Sequence, residues 1–151
     1  MPQKSATPPR ELPEEDAHAA RFARQRAADR GALAQDYVEL IADLQEGAGE
    51  ARAVDVARRL GVSQATVTAA VARLVRDGLV ETKPYRALFL TDAGRAMAER
   101  ARRRHAVVVR FLRSLGLDEA TAEADAEGIE HHVSEATLDA FERVMRERDG
   151  G

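Results

Sequence analysis

The stretch Ala57-Arg58-Arg59-Leu60-Gly61-Val62-Ser63-Gln64-Ala65-Thr66-Val67-Thr68-Ala69-Ala70-Val71 decides the fold. Two helical patterns meet in it, Val54 to Leu60 and Gln64 to Asp77, with only Gly61-Val62-Ser63 between them. Gly61 can take the positive φ that a sharp bend needs, Val62 is expected to anchor the bend in the core, and Ser63 is placed to cap the second helix. On that helix Val67, Val71, Leu74 and Val75 form the expected buried stripe. Gly78 closes it. Leu79-Val80-Glu81-Thr82 and Ala87-Leu88-Phe89-Leu90 then read as two short strands joined across Lys83-Pro84-Tyr85-Arg86.

Helix, tight turn, helix, strand, turn, strand is the order of a winged helix-turn-helix. Ser63, Gln64, Ala65, Thr66 and Thr68 gather at the start of the second helix, where short polar and methyl-bearing side chains can approach base edges in the major groove. Arg73 and Arg76 would lie nearer the DNA backbone, and Lys83 and Arg86 at the wing are natural phosphate or minor-groove contacts. The bland alternative is an exposed helix and a hairpin that merely complete a small core. The whole succession, rather than one motif, favours double-stranded DNA as a partner.

Outward from this segment, composition sets the frame. Hydrophobic residues make up 44% of the 151 and aromatics only 4%, so the core must be Ala, Val, Leu and Ile packed between helices, which points to a mostly α protein. The net charge of −3 means that any nucleic-acid contact comes from a local basic surface. With Cys absent there is no thiolate zinc site and no cysteine nucleophile. No apolar run is long enough to span a bilayer and no signal-peptide pattern opens the chain, so a cytoplasmic protein with no membrane partner is expected. Residues 1–31 read as a flexible N-terminal arm, helical from Glu14 to Arg30 only when supported. Residues 32–93 form the winged helix-turn-helix domain, opened by a helix whose stripe is Leu33, Tyr37, Leu40, Ile41 and Leu44. Residues 94–151 form an all-helical domain: a long helix from Thr91 to about Leu115, then helices over Asp118 to His131 and Ser134 to Arg148.

Acid and imidazole side chains recur at helical spacing in three separate segments. Asp36, Glu39 and Asp43 share a face of the first helix beside its apolar stripe. His105 falls within an apolar stripe made by Ala98, Ala101, Val108, Val109 and Leu112, where a lone histidine is usually a satisfied core residue. The third segment changes that reading. Glu127, Glu130 and His131 occupy one face, with Glu123 beside them, while Ala122, Ala126 and Ile129 point away. Three like charges on one face repel one another, and more so if buried, so the cluster asks for a cation. Carboxylate and imidazole without thiolate suit Mn²⁺, Fe²⁺ or Zn²⁺. Asp36, Glu39, Glu127 and Glu130 carry four formal negative charges, which two divalent ions would neutralise.

Asp36-Tyr37-Val38-Glu39, Arg104-His105 and Asp125-Ala126-Glu127-Gly128-Ile129-Glu130-His131-His132-Val133-Ser134 resemble the manganese-transport regulators, the MntR-type branch of the family that includes the diphtheria toxin repressor. The resemblance runs from about Leu33 to Met145. It implies a site for two Mn²⁺ per subunit with Asp36, Glu39, His105, Glu127, Glu130 and His131 as ligands, oxygen donors standing where iron-responsive relatives carry sulfur. It also implies a homodimer formed through the C-terminal helices, operator DNA as the partner, no small-molecule substrate, and repression of manganese-uptake genes. His132 is expected beside the site rather than as a ligand. The chain departs from the iron regulators by its N-terminal arm and by lacking their SH3-like third domain. Within the class, an iron- or zinc-responsive repressor and a metal-independent regulator are the alternatives. A carboxylate-bridged dimetal enzyme would supply two Glu-x-x-His pairs. Here Gly128 and Arg102 stand three residues before His131 and His105, so no enzyme is expected.

Overall fold

The computed structural model describes residues 11–150, and the side chain of Arg86 lies outside the described set. The first helix, α1, spans Glu15–Ala48, 34 residues without a break. It passes straight through the boundary expected near residue 31, since Ala, Arg, Glu and Gln all favour helix and a single Gly31 interrupts weakly. Its first half has no apolar stripe, which is why hydrophobic periodicity begins only near Leu33. The arm expected over residues 1–31 is thus helix from Glu15 onward, while residues 1–10 lie outside the described part.

Beyond α1 come β1 (Ala51–Arg52), α2 (Ala53–Leu60) and α3 (Gln64–Arg76), then β2 (Val80–Lys83), a single 3₁₀ turn at Pro84–Arg86 and β3 (Ala87–Leu90). The helices α4 (Asp92–Ser114), α5 (Glu119–Ile129) and α6 (Glu135–Asp149) complete the chain. β3 lies between β1 and β2 and is antiparallel to both. The expected hairpin therefore supplies the central strand and one edge of a three-stranded sheet. Strand β1 is too short to show alternation, so nothing in its composition announces it.

Gly61 takes φ 68° at the bend, and the Ser63 hydroxyl accepts from the Thr66 amide at 3.1 Å. Two expectations about this region fail. Val62 is 38% exposed rather than anchored in the core, and Val75 is 42% exposed while Ala70 takes its place beside Val67, Val71 and Leu74. A helix turning 100° per residue puts position 70, three before Arg73 and four before Leu74, squarely on the Val67/Leu74 face. Leu33 is likewise half exposed, so the stripe of α1 is Tyr37, Val38, Ile41, Ala42 and Leu44.

Two cores result. The larger joins α1, the sheet, α2, α3 and the start of α4 around Val38, Ile41, Val56 and Val67. The smaller holds α4, α5 and α6 together around Val108, Ala126, Leu138 and Met145. α1 also packs along α4, where Arg102 donates to Asp43 Oδ1 at 2.5 Å and Glu46 Oε1 at 3.0 Å. Asp43 thereby has its own cationic partner, although its charge still bears on Glu39.

Candidate metal centre and DNA-facing surface

The acid and imidazole groups of three segments meet where α1, α4 and the end of α5 converge. Helix α5 stops at Ile129, earlier than the His131 expected, so Glu130 is its C-cap and His131 sits in the following turn. That turn is latched by Arg104 of α4. Its guanidinium donates to the Glu130 carbonyl at 3.0 and 2.7 Å, to the Val133 carbonyl, and to Glu135 Oε1 at 2.5 Å. Sequence reasoning missed this role of Arg104, because an arginine serving backbone carbonyls leaves no pattern at its own position.

Glu130, 2% exposed, is the hub of the cluster. One carboxylate oxygen lies 2.7 Å from His105 Nδ1 and the other 3.3 Å from His131 Nε2. His131 Nε2 is also 3.2 Å from Asp36 Oδ1, and His105 Nδ1 is 3.8 Å from Glu127 Oε1. Ligand-capable atoms of His105, Glu127 and Glu130 fall within 4.8 Å of one another. Glu39 Oε1 is buried with no hydrogen-bond partner among the described residues. Of the six residues singled out in the sequence, His105, Glu127 and Glu130 share one cluster, and His131 joins it through Glu130 and carries Asp36 with it. Glu39 makes no hydrogen bond or ion pair with the others among the described residues.

The electrostatics show an acidic cluster short of positive charge. Burial pushes the Glu130 carboxyl up to about 7, with Glu127 and Glu39 adding to the effect against the opposing pull of His105. Glu39 is raised by burial and then by Asp36, Glu127 and Asp43. Asp36 is raised by burial, opposed by His131, with Glu127 contributing in the same sense as burial. Burial works against charging His105, yet contacts with Glu123 and Glu130 outweigh it and raise its pKa. An orphaned buried carboxylate oxygen and a donor set of only oxygen and nitrogen fit a hard or borderline divalent cation.

On the other face, Ser63, Gln64, Ala65, Thr66 and Thr68 are exposed along the first turns of α3. A groove of about 490 Å³ runs between them and the wing, lined by Gln64, Thr68, Thr82, Lys83 and Tyr85. Lys83 Nζ rests 4.6 Å from the Phe89 ring centroid. Arg73 lies on the later half of α3 beside Arg30 and Tyr37 of α1, away from that groove. Tyr85, 94% exposed and at φ 69°, stands at the tip of the wing; its left-handed backbone could not have been read from its type.

Comparison with known proteins places both halves. Residues 31–88 match the model described as iron dependent repressor, N-terminal DNA binding domain, and residues 91–149 match iron dependent repressor, metal binding and dimerisation domain. A transcriptional regulator MntR of Escherichia coli O157:H7 is 49% identical over 140 residues, covering 93% of this chain and 90% of that protein. The chain belongs to the MntR-type branch of the iron-dependent repressor family. A second MntR, from Bacillus velezensis, is 40% identical over 105 residues, 70% of this chain and 74% of that one. Among solved structures, a manganese-dependent transcriptional repressor in complex with manganese is 31% identical with a TM-score of 0.64, covering 73% of this chain. The chain spans about half the length of that solved protein, 51%.

The family boundaries sharpen the geometry. Asp36 and Glu39 belong to the segment matching the DNA-binding domain, whereas His105, Glu127, Glu130 and His131 belong to the one matching the metal-binding domain. The relatives are transcriptional regulators and not enzymes. No described helix is long and apolar enough to cross a membrane.

Proposed function

We propose that this chain is a manganese-responsive repressor, mainly of manganese-uptake genes, that binds operator DNA as a homodimer when Mn²⁺ is bound. The observation that carries the reading is the buried carboxylate of Glu130 held between His105 and His131, with Asp36 of the other domain on His131 and an unpartnered buried oxygen of Glu39 close enough to raise the Glu130 pKa. Asp36, Glu39, His105, Glu127, Glu130 and His131 are the proposed ligands, and their four carboxylates suit two divalent ions per subunit. The absence of any thiolate and the manganese regulators among the relatives favour Mn²⁺ over softer ions.

A bound cation supplies the positive charge that cancels the mutual repulsion of these carboxylates. Without that charge, Asp36 and Glu39 on α1 oppose Glu127 and Glu130 across the domain boundary, and burial holds Glu130 and Glu39 toward their protonated forms. With the repulsion cancelled, α1 is fixed against α4 and α5, and the winged head takes one orientation. In a dimer this lets two α3 helices enter major grooves about 34 Å apart, one turn of the duplex. Ser63, Gln64, Ala65, Thr66 and Thr68 are proposed to face base edges and Lys83 and Arg86 the phosphates, whereas Arg73, turned toward α1, falls outside this set. The 52% exposed Leu115 after α4 and the match of residues 91–149 to a metal binding and dimerisation domain support pairing through the C-terminal helices.

The decisive measurement is DNA binding by fluorescence anisotropy, on a duplex selected from random sequence, with Mn²⁺ or with chelator. Mn²⁺ is expected to tighten binding at least about 10-fold, the scale of ordinary allosteric coupling. Glu130→Ala should abolish the response while leaving the helical content intact. Equal affinity in Mn²⁺ and chelator sinks the proposal, and a larger response to Fe²⁺ or Zn²⁺ reassigns the ion.

A further inference from the structure

Each of the two cluster imidazoles is also gripped from behind. His105 turns Nδ1 toward Glu130, while its Nε2 lies 2.6 Å from Glu123 Oε2. His131 turns Nε2 toward Asp36 and Glu130, while its Nδ1 lies 2.7 Å from Gln35 Oε1. A carboxylate oxygen and an amide oxygen accept hydrogen bonds and cannot donate them, so the ring nitrogen is the donor at both outer contacts. The inner nitrogens face carboxylate oxygens too, but only they look into the proposed ligand cluster, where a cation takes the proton's place. A neutral imidazole has one N–H. Directing it outward leaves a lone pair on the inner nitrogen, the form that binds a cation.

We infer that Glu123 and Gln35 are positioning residues of the metal centre, which make His105 present Nδ1 and His131 present Nε2. This inference rests on the proposed ligand set. Glu123 stands one helical turn before Glu127 on α5, so the same helix face supplies a ligand and the group that orients another. Gln35 comes from α1, next to Asp36, so the outer partner of His131 belongs to the other domain. The two grips differ in charge, and the difference has a reason. Glu123 is half exposed to solvent, whereas a carboxylate at position 35 would add to the repulsion around Asp36 and Glu39. An amide orients His131 without that cost.

The test uses the full chain labelled with ¹⁵N-histidine and loaded with Cd²⁺, a diamagnetic ion whose bonding shifts the coordinated ring nitrogen. Two-bond ¹H–¹⁵N spectra are expected to show Nδ1 of His105 and Nε2 of His131 on the ion. The opposite nitrogen at either histidine overturns the role of its outer partner. Mn²⁺ affinity, measured by competition with a fluorescent chelator, should fall about 10–100-fold in Glu123→Ala and in Gln35→Ala, the usual effect of losing an outer hydrogen bond to a ligand histidine. Glu123→Gln keeps an acceptor oxygen and should stay within about threefold of the parent on that scale. Equal losses in Glu123→Ala and Glu123→Gln mean charge or packing, and overturn the inference. If an alanine variant fails to fold, the nitrogen assignment in the parent still decides. Failure of the parent to take up either ion defeats the ligand set itself, an outcome distinct from uptake through the wrong nitrogen.

Discussion

Ile41 and Glu130 are almost equally hidden from solvent, 0% and 2% exposed, yet they occupy opposite kinds of interior. Around Ile41 the winged head is sealed by apolar side chains from α1, α2, α3 and the sheet. Around Glu130 the space between α1, α4 and α5 is closed by carboxylates and imidazoles, with one buried oxygen of Glu39 unpartnered among the described residues. Burying apolar surface stabilises the head in any buffer. Burying acid destabilises the hub until positive charge arrives. The head is thus permanent and the hub conditional, which is the division a metal-dependent switch requires.

The comparison can be broken most directly through the hub. Mn²⁺ at about 1,000 times its Kd should add about 4 kcal/mol to unfolding stability, by mass action on the folded state. Its pH dependence should also change sign. The Glu130 carboxyl titrates at about 7 when folded against 4.5 when free, so without metal the folded state holds the extra proton and stability falls as pH rises between those values. His105, raised overall by Glu123 and Glu130 against burial, loses its contribution as pH climbs through its own folded value. With Mn²⁺ the ligands must be deprotonated, and stability should rise over the same window. Thermal melts from about pH 5 to 8, in chelator and in Mn²⁺, would give parallel curves if the hub were not conditional.

In the head, Ile41→Ala should cost about 3 kcal/mol in chemical denaturation, and the loss should be the same in Mn²⁺ and in chelator. A loss that metal repairs would mean that the two interiors are not separate. Gly94→Ala tests the seam between them, where α4 leaves the sheet. A Cβ there would lie 2.1 Å from the Leu79 carbonyl oxygen, a backbone atom that cannot swing aside. About 2 kcal/mol of destabilisation is expected, with the wing displaced and DNA affinity reduced. Ser63→Ala is the mildest change. It removes the cap of α3 at about 1 kcal/mol, and should weaken DNA binding without altering Mn²⁺ affinity.

The two regions also differed in how far they could be read from residues alone. The head announced itself through punctuation: Gly61, Ser63 and Gly78 mark bends and caps that local chemistry enforces. Its misreadings, at Val62 and Val75, came from assuming that a valine near a core must enter it. The convergence of acid on the hub was signalled by Asp36, Glu39, Glu127 and Glu130 recurring at helical spacing, though only Glu130 of the four is buried while Asp36 and Glu127 stay exposed. Spacing failed past Ile129, where the helix ends and the turn re-aims His131. Glu123 was placed beside the acidic face and Arg104 next to His105, but the contacts of these two and of Gln35 went unread for a shared reason. Each acts through partners at least 18 positions away, and no local pattern encodes such a meeting.

The unbroken course of α1 has a mechanical consequence. Because Asp36 and Glu15 lie on one helix with no hinge between them, the N-terminal half is a pointer fastened to the hub. At about 1.5 Å per residue its tip stands roughly 30 Å from Asp36, so a tilt of about 5° would sweep that tip through roughly 3 Å. A dye attached near Asp16 would make cation loading visible as a change in distance, with no nucleic acid present.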